Sequence, residues 1–401
     1  MSFLPLAGIR VVDLTSSVAG PYCAAILGAL GADVVKVEHP VRGDESRSWG
    51  PPFWNGEGVM FLSANPSKRS VALDVKEARG REVLLRLVGR GDVFVQSLRP
   101  GSAERLGLGA DALRELNPRL VYCNVGAYGA TGPLRDEPGY DALMQARAGL
   151  ISVTGEADRP GVRVGASIVD QGTGSWAAIG ILAALLERAT TGVGRVVDVS
   201  LFETAVGYVP YHVAGYLASG VAPGRHGTEF PLVAPYRVYS ARDGELLVSG
   251  SNDKLYRALC AALEREEWID DPRFATNALR VEHRRELDAL VGGRLAEERA
   301  ATWLERFSRA GVPASPVQDI AQVAGDPQTR ALGLLQALPH PRIPEQAIVA
   351  PSVSVDGERV LHRAPAPLLG QHTREVLAEL GFDEEEIGAL ERDGVIRVPP
   401  S

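Results

Sequence analysis

Short apolar runs alternate with longer amphipathic stretches along the first 130 residues of the 401-residue chain. The runs have strand length and are rich in Val, Ile and Leu, whereas the amphipathic stretches have helical length. We therefore predict strands at 9–14, 32–37, 70–75, 92–98, 120–125 and 195–199, and helices at 21–30, 77–88, 175–188, 373–380 and near 383. Strands separated by helices in this way predict a parallel sheet covered on both faces. In such sheets ligands bind beyond the carboxyl ends of the strands.

The character of the sequence changes near residue 206, where Gly, Tyr, Pro and Val crowd the stretch GYVPYHVAGY. A second unit, with its own strand and several helices rich in Arg and Glu, begins near Glu229. We predict an α/β fold whose large Rossmann-like domain is made from both chain ends, with a smaller α+β domain between them. The predicted ranges are 1–205 for the first part of the large domain, 206–228 for a linker, 229–325 for the small domain and 326–401 for the linker and return.

The net charge of −8 argues against broad nucleic-acid binding, which needs a basic face, but allows a local basic pocket for a small anion. Cys23, Cys123 and Cys260 each lie in an apolar context, which predicts buried, reduced thiols and a cytoplasmic protein. The longest apolar run, near 179–186, is too short to cross a membrane and predicts a core helix. The seven histidines lack metal-binding spacing, so we predict no metal site.

Asp170, in the stretch ASIVDQGTGSW, ends an apolar run and is followed by two glycines. One interpretation makes it the N-cap of the predicted helix, with Gly172 and Gly174 as turn residues. The other makes it a nucleophile, with glycines that let a substrate approach the backbone and N–H groups that face a developing oxyanion. Both interpretations can hold, because a capping position already favours negative charge.

Other polar side chains surround the predicted strand ends. Tyr140 and Asp141, in PGYDALMQ, indicate either a turn with a helix start or a phenol and a second carboxyl near Asp170. Cations near strand ends suit phosphates, although solvated surface arginines are common. These cations are Arg42, Arg47, Lys68, Arg69, Lys76, Arg99 and Arg105. The sequence has no GxxxxGK[ST], no GxGxxG after the first strand and no GxSxG, which argues against a P-loop, a dinucleotide fingerprint and a hydrolase elbow.

Several motifs, in order, resemble those of the family III coenzyme A transferases. They are DLTSSVAGPYCAAILGALGADVVKVEHP, NPSKRSVALDVK, DVFVQSLRPGSAERLGLG, PGYDALMQ, ASIVDQGTG and APAPLLGQHTREVL. The resemblance runs from about Gly8 to the last helix, and SRSWGPPF is most similar to members that use dicarboxylic acids. It implies an enzyme that moves CoA from an acyl-CoA, with succinyl-CoA as the expected donor, to a dicarboxylate acceptor. It also implies an interlocked homodimer whose substrates are CoA thioesters, with no tightly bound cofactor.

The family's catalytic aspartate falls on Asp170, which the resemblance implies forms an anhydride and then an aspartyl-CoA thioester. The implied CoA contacts are Val18, Ala19, His39, Leu73, Asp74, Val75, Lys76, Ser97, Leu98, Arg99, Arg105, Pro138, Gly139, Tyr140 and Asp141. Two positions depart from the family pattern: His39 replaces a frequent Arg, and Ser97 replaces an Asn. A distal substrate carboxylate would need a cation, for which the candidates are Arg47, Arg163 and Arg237.

Two other functions stay open at this point. Related α-methylacyl-CoA racemases need an acid and a base on opposite sides of the α-carbon, commonly a His-Asp pair where this chain has Tyr140-Asp141. Tyrosine is a poor base near neutral pH, because a phenol has a pKa of about 10. The other alternative is a protein that binds CoA without catalysis.

Overall fold

The computed structural model describes residues 3–399, which form two compact units. The first contains the chain up to Leu150, Val164–Ala214 and the chain from Pro327 onward. The second contains Ile151–Arg163 and Gly215–Asp326. The predicted small-domain range, 229–325, lies inside the second unit, which also takes in short segments before it.

The elements up to residue 219 are β1 (Arg10–Leu14), α1 (Ala19–Ala29), β2 (Asp33–Glu38), β3 (Phe53–Trp54), β4 (Glu57–Gly58), α2 (Val59–Ala64), β5 (Lys68–Leu73), α3 (Ala78–Gly89), β6 (Val93–Gln96), α4 (Ser102–Arg105), α5 (Ala110–Leu116), β7 (Val121–Gly126), α6 (Asp141–Arg147), α7 (Leu150–Val153), α8 (Ile168–Thr191), β8 (Val196–Ser200), α9 (Leu201–Gly207) and α10 (Pro210–Ser219). Short 3-10 helices lie at Glu45–Ser48 and Glu266–Trp268.

The later elements are β9 (Tyr236–Ala241), β10 (Gly244–Ser249), α11 (Asp253–Ala262), α12 (Asn277–Glu282), α13 (Arg284–Leu295), α14 (Ala300–Ala310), β11 (Ala314–Pro316), α15 (Ile320–Gly325), α16 (Pro327–Ala331), β12 (Leu335–Ala337), β13 (Ala347–Val349), β14 (Ser354–Val355), β15 (Glu358–Arg359), α17 (Thr373–Glu379), α18 (Glu384–Arg392) and β16 (Ile396–Arg397).

A seven-stranded sheet organises the first unit, with the order β16-β5-β2-β1-β6-β7-β8. Its first six strands in sequence are parallel, and their order reverses beside β1, as in Rossmann-type sheets. The strands follow the predicted ones to within two residues. One strand of this sheet was not predicted: β16, from the end of the described chain, pairs antiparallel with β5 at the sheet edge.

Helices cover both faces of this sheet, which explains why its strands are nearly continuous in Val, Phe and Leu. Val12, Val35 and Phe94 are completely buried. Helices α3, α17 and α18 add Leu84, Leu377 and Leu390, respectively, to the same core. The second unit has an antiparallel sheet, β11-β10-β9, with helices packed around Trp303, Phe307 and Phe274. It is an α+β unit with a core of its own.

Helix α8 begins earlier than predicted, at Ile168 rather than near 175. Gly172 and Gly174 are therefore helical residues, and their interpretation as turn residues is wrong. Each glycine leaves room for a neighbour: a Cβ on Gly174 would lie 2.5 Å from the carbonyl oxygen of Ala19, and one on Gly172 would overlap the hydroxyl of Tyr208. Tertiary packing thus keeps glycine in a helix that glycine intrinsically disfavours.

With 24 residues, α8 is also longer than the predicted apolar helix. Among residues 3–399 it is the one helix long and apolar enough to cross a membrane by length and composition. A helix in a protein core meets the same two criteria, and α8 packs along α1, β7 and β8. Residues 210–219, within the predicted linker, form α10.

Candidate active site

Most of the predicted CoA contacts lie where the parallel strands end. We call this side of the sheet, formed by the carboxyl ends of the strands, the carboxyl edge. Val18 and Ala19 form the start of α1 after β1. The positions that follow the next three parallel strands are His39 after β2, Leu73, Asp74, Val75 and Lys76 at the end of β5, and Ser97, Leu98 and Arg99 after β6. The edge is thus the place where a ligand binds in a sheet of this topology.

One hydrogen bond and one longer polar contact join loops that are distant in sequence. The Ser97 hydroxyl accepts from the backbone N–H of Ser16 at 3.1 Å, where the strand order reverses between β1 and β6. The His39 Nε2 lies 3.9 Å from the Asp74 carboxylate. Its Nδ1 accepts from the N–H groups of Val41 and Arg42, which leaves the imidazole proton on Nε2.

Four cations at this edge have no carboxylate partner among residues 3–399. Arg42, Lys76, Arg99 and Arg105 are exposed, and Arg105 donates to the Ser102 hydroxyl. The other cations that the sequence suggested are neutralised: Arg69 pairs with Asp33, Glu375 and Glu379. Lys68 is buried against Asp13. The unpaired cations suit an anionic ligand such as a phosphate.

Asp170 lies in the first turn of α8, where Ser167 occupies the N-cap position. The prediction that Asp170 is itself the N-cap is therefore wrong. Helices α1 and α8 both run antiparallel to the strands, so both begin at the carboxyl edge. Gly174 packs against the first turn of α1, and Asp170 is one turn earlier on the same face of α8. This places Asp170 level with the loop that leads into Val18.

Asp141, the buried first residue of α6, caps α8 from outside. Its Oδ2 accepts from the backbone N–H of Val169 at 2.8 Å and of Asp170 at 3.2 Å. Gln145 donates to its Oδ1 at 2.6 Å and accepts from the N–H of Val164, in the segment before α8. Both interpretations of Asp141 hold, since it starts a helix and brings a second carboxyl to Asp170. Tyr140 and Pro138 are exposed in the preceding loop, and Gly139 is half-buried there.

The environment of Asp170 favours the protonated carboxyl. Burial, and secondarily the negative charge of Asp141, raise its pKa from 3.8 to about 7. Asp141 also occupies the free N–H groups at the helix start, which would otherwise stabilise a charged Asp170. No hydrogen bond or ion pair reaches the Asp170 carboxylate within the described residues. The carboxylate is therefore poorly solvated, basic and unoccupied.

A buried charge network lies beneath the carboxyl edge, and sequence reasoning missed it. The Lys68 ammonium donates to Asp13 at 2.9 Å, Asn65 at 2.8 Å and the Pro21 carbonyl at 2.8 Å. Lys36 lies 2.8 Å from Asp44 and 4.0 Å from Asp13. The two ammonium groups lower the pKa of Asp13 to about 2 despite its burial, and burial lowers that of Lys68 to about 8.

The candidates for holding a distal carboxylate differ in their partners. Arg47 donates to both oxygens of Glu38, at 2.7 and 2.8 Å, and stacks on the Phe61 ring, so its guanidinium is engaged. Arg237, in the second unit, pairs with Glu229 and Asp288. Arg163 lies in the segment of the second unit that precedes α8. In the part of the chain that the structure describes, no cluster of His, Cys, Asp and Glu could hold a metal ion, and the three cysteines are buried and unpaired.

Comparison with known proteins identifies the family of the chain that carries this site. Residues 6–373 match the model of CoA-transferase family III. The chain belongs to this family. A succinyl-CoA:glutarate CoA-transferase from Mus musculus is 38% identical over 396 residues, which cover 98% of this chain and 91% of that protein.

Two further relatives extend the similarity. A succinyl-CoA–D-citramalate CoA-transferase from Chloroflexus aurantiacus is 34% identical over 396 residues and 98% of each chain. The crystal structure of a CAIB/BAIF family protein from Brucella suis superimposes with a TM-score of 0.84 and 35% identity, over 94% of this chain and 99% of that one. The protein is thus a family III CoA-transferase with the fold of its family, as the motifs predicted.

The raised pKa of Asp170 predicts a pH-dependent effect of Asp170→Asn on stability. The unfolded chain ionises this carboxyl near pH 4 and the folded chain only near pH 7, so its ionisation destabilises the fold progressively across that interval. The difference between the two pKa values sets an upper limit on this destabilisation, and solvent screening reduces it to about 1–2 kcal/mol.

Urea unfolding at pH 5 and pH 8 measures the effect. We expect the stabilisation by Asp170→Asn to be larger at pH 8. Asp136→Asn, at an exposed position in the loop before α6, is the control and changes stability equally at both pH values. If Asp170→Asn changed the free energy of unfolding by the same amount at pH 5 and at pH 8, as the control does, the raised pKa would be contradicted.

Proposed function

We propose that this enzyme transfers CoA from succinyl-CoA to a dicarboxylic acid, with Asp170 as the nucleophile. One observation supports the assignment above all: an unpaired, poorly solvated carboxylate lies at the carboxyl edge of the sheet, level with the start of α1. A nucleophilic carboxylate needs free oxygens and a basic pKa, and Asp170 has both. Asp141, by contrast, is fully engaged with α8 and Gln145.

The first half of the proposed reaction loads CoA onto the enzyme. The Asp170 carboxylate attacks the thioester carbon of succinyl-CoA, the C–S bond breaks, and a mixed anhydride and CoA thiolate form. The thiolate then attacks the aspartyl carbonyl of the anhydride. Succinate leaves as a carboxylate, and Asp170 carries CoA as a thioester. No proton is gained or lost across the two steps.

The second half repeats these steps with the acceptor. Its carboxylate attacks the aspartyl thioester and releases the thiolate, which leaves a new anhydride on Asp170. The thiolate attacks the acyl carbon that came from the acceptor. The new acyl-CoA forms, and Asp170 returns as a carboxylate. One thioester replaces another, so no external energy source is required.

The expected contacts of CoA fit the charge of the edge. We propose that Val18, Ala19, His39, the Leu73–Lys76 segment, the Ser97–Arg99 segment, Arg105 and the Pro138–Asp141 loop contact CoA. Arg42, Lys76, Arg99 and Arg105 supply cations for its phosphates, since no carboxylate neutralises them within the described chain. Both relatives above are named for succinyl-CoA as donor and for a dicarboxylate as acceptor, which supports the same substrate class here.

A racemase would use Tyr140-Asp141 as its acid and base. Tyr140 is 54% exposed, and the Asp141 oxygens already accept three hydrogen bonds, so neither group is disposed to remove an α-proton. The named relatives are transferases. Exchange of the α-proton of a 2-methylacyl-CoA into deuterated water would favour the racemase.

The chain also exposes apolar surface that an interlocked homodimer would cover. Trp176, Ile179 and Leu186 of α8 are 57%, 53% and 76% exposed, and α10 buries none of its residues. Isolated apolar side chains are normal on a surface, but a long helix with a wet apolar face indicates a partner. We propose a second copy of the chain as that partner.

Replacing the nucleophile separates catalysis from binding. We expect Asp170→Asn to lower transfer from succinyl-CoA to glutarate by about 10⁴-fold or more, because the neighbouring carboxylate, Asp141, is engaged with α8 and Gln145 and cannot replace it. Calorimetry should show that free CoA still binds. Pentanoate, with one carboxylate, should replace glutarate poorly in the wild-type enzyme. Near-normal transfer by Asp170→Asn would refute the assignment of Asp170 as the nucleophile.

Asp141→Asn is the matched control, because the amide oxygen can still accept from the N–H groups of α8. This variant should stay active. The acid limb of its pH–rate profile should move to lower pH by about one unit, since the negative charge beside Asp170 is gone. An inactive Asp141→Asn with intact CoA binding would instead assign Asp141 a direct role.

The proposed interlocked homodimer can be tested by its mass in solution and by its persistence on dilution. Light scattering after gel filtration should give twice the chain mass. Interlocked chains cannot separate without unfolding, so the dimer should persist at nanomolar concentration. A monomer, or a dimer that dissociates on dilution, would contradict the interlocked arrangement.

A further inference from the structure

The short loop after β1, Thr15–Ser17, is held by side chains from three other segments. The backbone N–H of Thr15 donates to Asp13 at 3.0 Å, that of Ser16 donates to Ser97 at 3.1 Å, and that of Ser17 donates to Asp44 at 3.2 Å. Ser17 has a φ of +70°, a region that a serine rarely adopts. Its surroundings therefore impose the conformation of this loop.

Lys36 occupies the centre of these contacts. It is completely buried on β2, and its ammonium donates to the carbonyl oxygen of Thr15 at 2.9 Å and lies 2.8 Å from the Asp44 carboxylate. Asp44 belongs to the loop after β2, and its other oxygen accepts from the N–H groups of Ser17 and Ser46. One ammonium thus fastens the loop after β1 to the loop after β2.

We infer that Lys36 is a positioning residue for coenzyme A. The inference rests on the proposed function, in which Val18 and Ala19 after the first loop and His39 in the second contact CoA. Lys36 is too deeply buried to touch a ligand. It acts by holding Thr15–Ser17 and the 39–46 segment in one arrangement before CoA arrives, which removes the ordering cost from binding.

The pairing with Asp44 explains how a buried lysine is tolerated. The Thr15 carbonyl oxygen accepts from the ammonium, and two carboxylates lie near it, Asp44 at 2.8 Å and Asp13 at 4.0 Å. Nearby carboxylates raise the pKa of Lys36 in spite of burial, so it stays charged. A neutral side chain of similar length could fill the space but could not hold either loop.

Lys36→Met tests the inference through the affinity for free CoA. We expect the Kd to increase about ten- to a hundredfold, the loss of one charged hydrogen-bond centre. The acyl-CoA KM should rise with it, while kcat changes little, because Asp170 and its surroundings are untouched. Hydrogen exchange should become faster at Ser17 and Asp44, whose N–H groups are in the two loops.

Lys68→Met is the matched control. Lys68 is equally buried and shares Asp13, but its other acceptors, Pro21 and Asn65, lie outside the two loops. A role in stability alone would make the two variants alike. We expect Lys68→Met to keep the Kd for CoA within about twofold of the wild-type value, and equal weakening by both variants would overturn the inference.

A second variant covers the case in which Lys36→Met does not fold because Asp44 is left unpaired. Lys36→Met combined with Asp44→Asn removes both charges and retains an oxygen that can accept from Ser17. It should fold and bind CoA about tenfold more weakly, because Thr15 has lost its donor. Wild-type affinity in this folded variant would overturn the inference.

Calorimetry with free CoA measures binding alone, which does not require Asp170 to act as a nucleophile. A failure of the nucleophile assignment would therefore leave this test intact. If the wild-type protein bound no CoA at all, both the proposed function and the role of Lys36 would be refuted.

Discussion

The hydrogen bonds from the start of α8 to Asp141 are the interaction on which the candidate site depends. They bring α6 against α8, and with Gln145 they fix the segment that leads into that helix. They also consume the N–H groups that normally stabilise an acid in a first helical turn. Asp170 is left without a donor and beside a negative charge, which makes it a basic carboxylate at a helix start.

The packing of α8 on α1 turns that carboxylate into part of a larger site. Gly174 lets the two helices approach closely at their N-terminal turns. Since both helices start at the carboxyl edge of the sheet, the nucleophile proposed here and the loop before Val18 share one region. The unpaired cations after β2, β5 and β6 and at the end of α4 lie along the same edge, as expected for an anionic ligand.

Much of the first unit could be predicted from the sequence because its strands are short, apolar and separated by amphipathic helices. The edge strand β16 could not, since two residues carry no periodic signal. The start of α8 was misplaced because DQGTG has the composition of a turn. Only the close approach of Ala19 and Tyr208 explains why glycine is kept in a helix there.

The candidate site divides in the same way. Asp170 and the CoA-contact segments could be expected from the resemblance to the family's motifs, and the parallel-sheet pattern placed most of those segments at strand ends. The partner of Asp141 could not, since it depends on where α6 meets α8. Lys36, in DVVKVE, has the alternation of a half-exposed strand. It is buried because Asp13 and Asp44 supply its counter-charges from positions 23 and 8 residues away in sequence.

The most direct test of the central claim is to trap the covalent enzyme. The wild-type protein is incubated with succinyl-CoA, treated with borohydride, digested and sequenced by mass spectrometry. Borohydride reduces an acylated aspartate to homoserine, so we expect homoserine at position 170, only when succinyl-CoA is present and not in Asp170→Asn. An unmodified Asp170 in an enzyme that is transferring CoA, or a modification at another carboxylate, would contradict it.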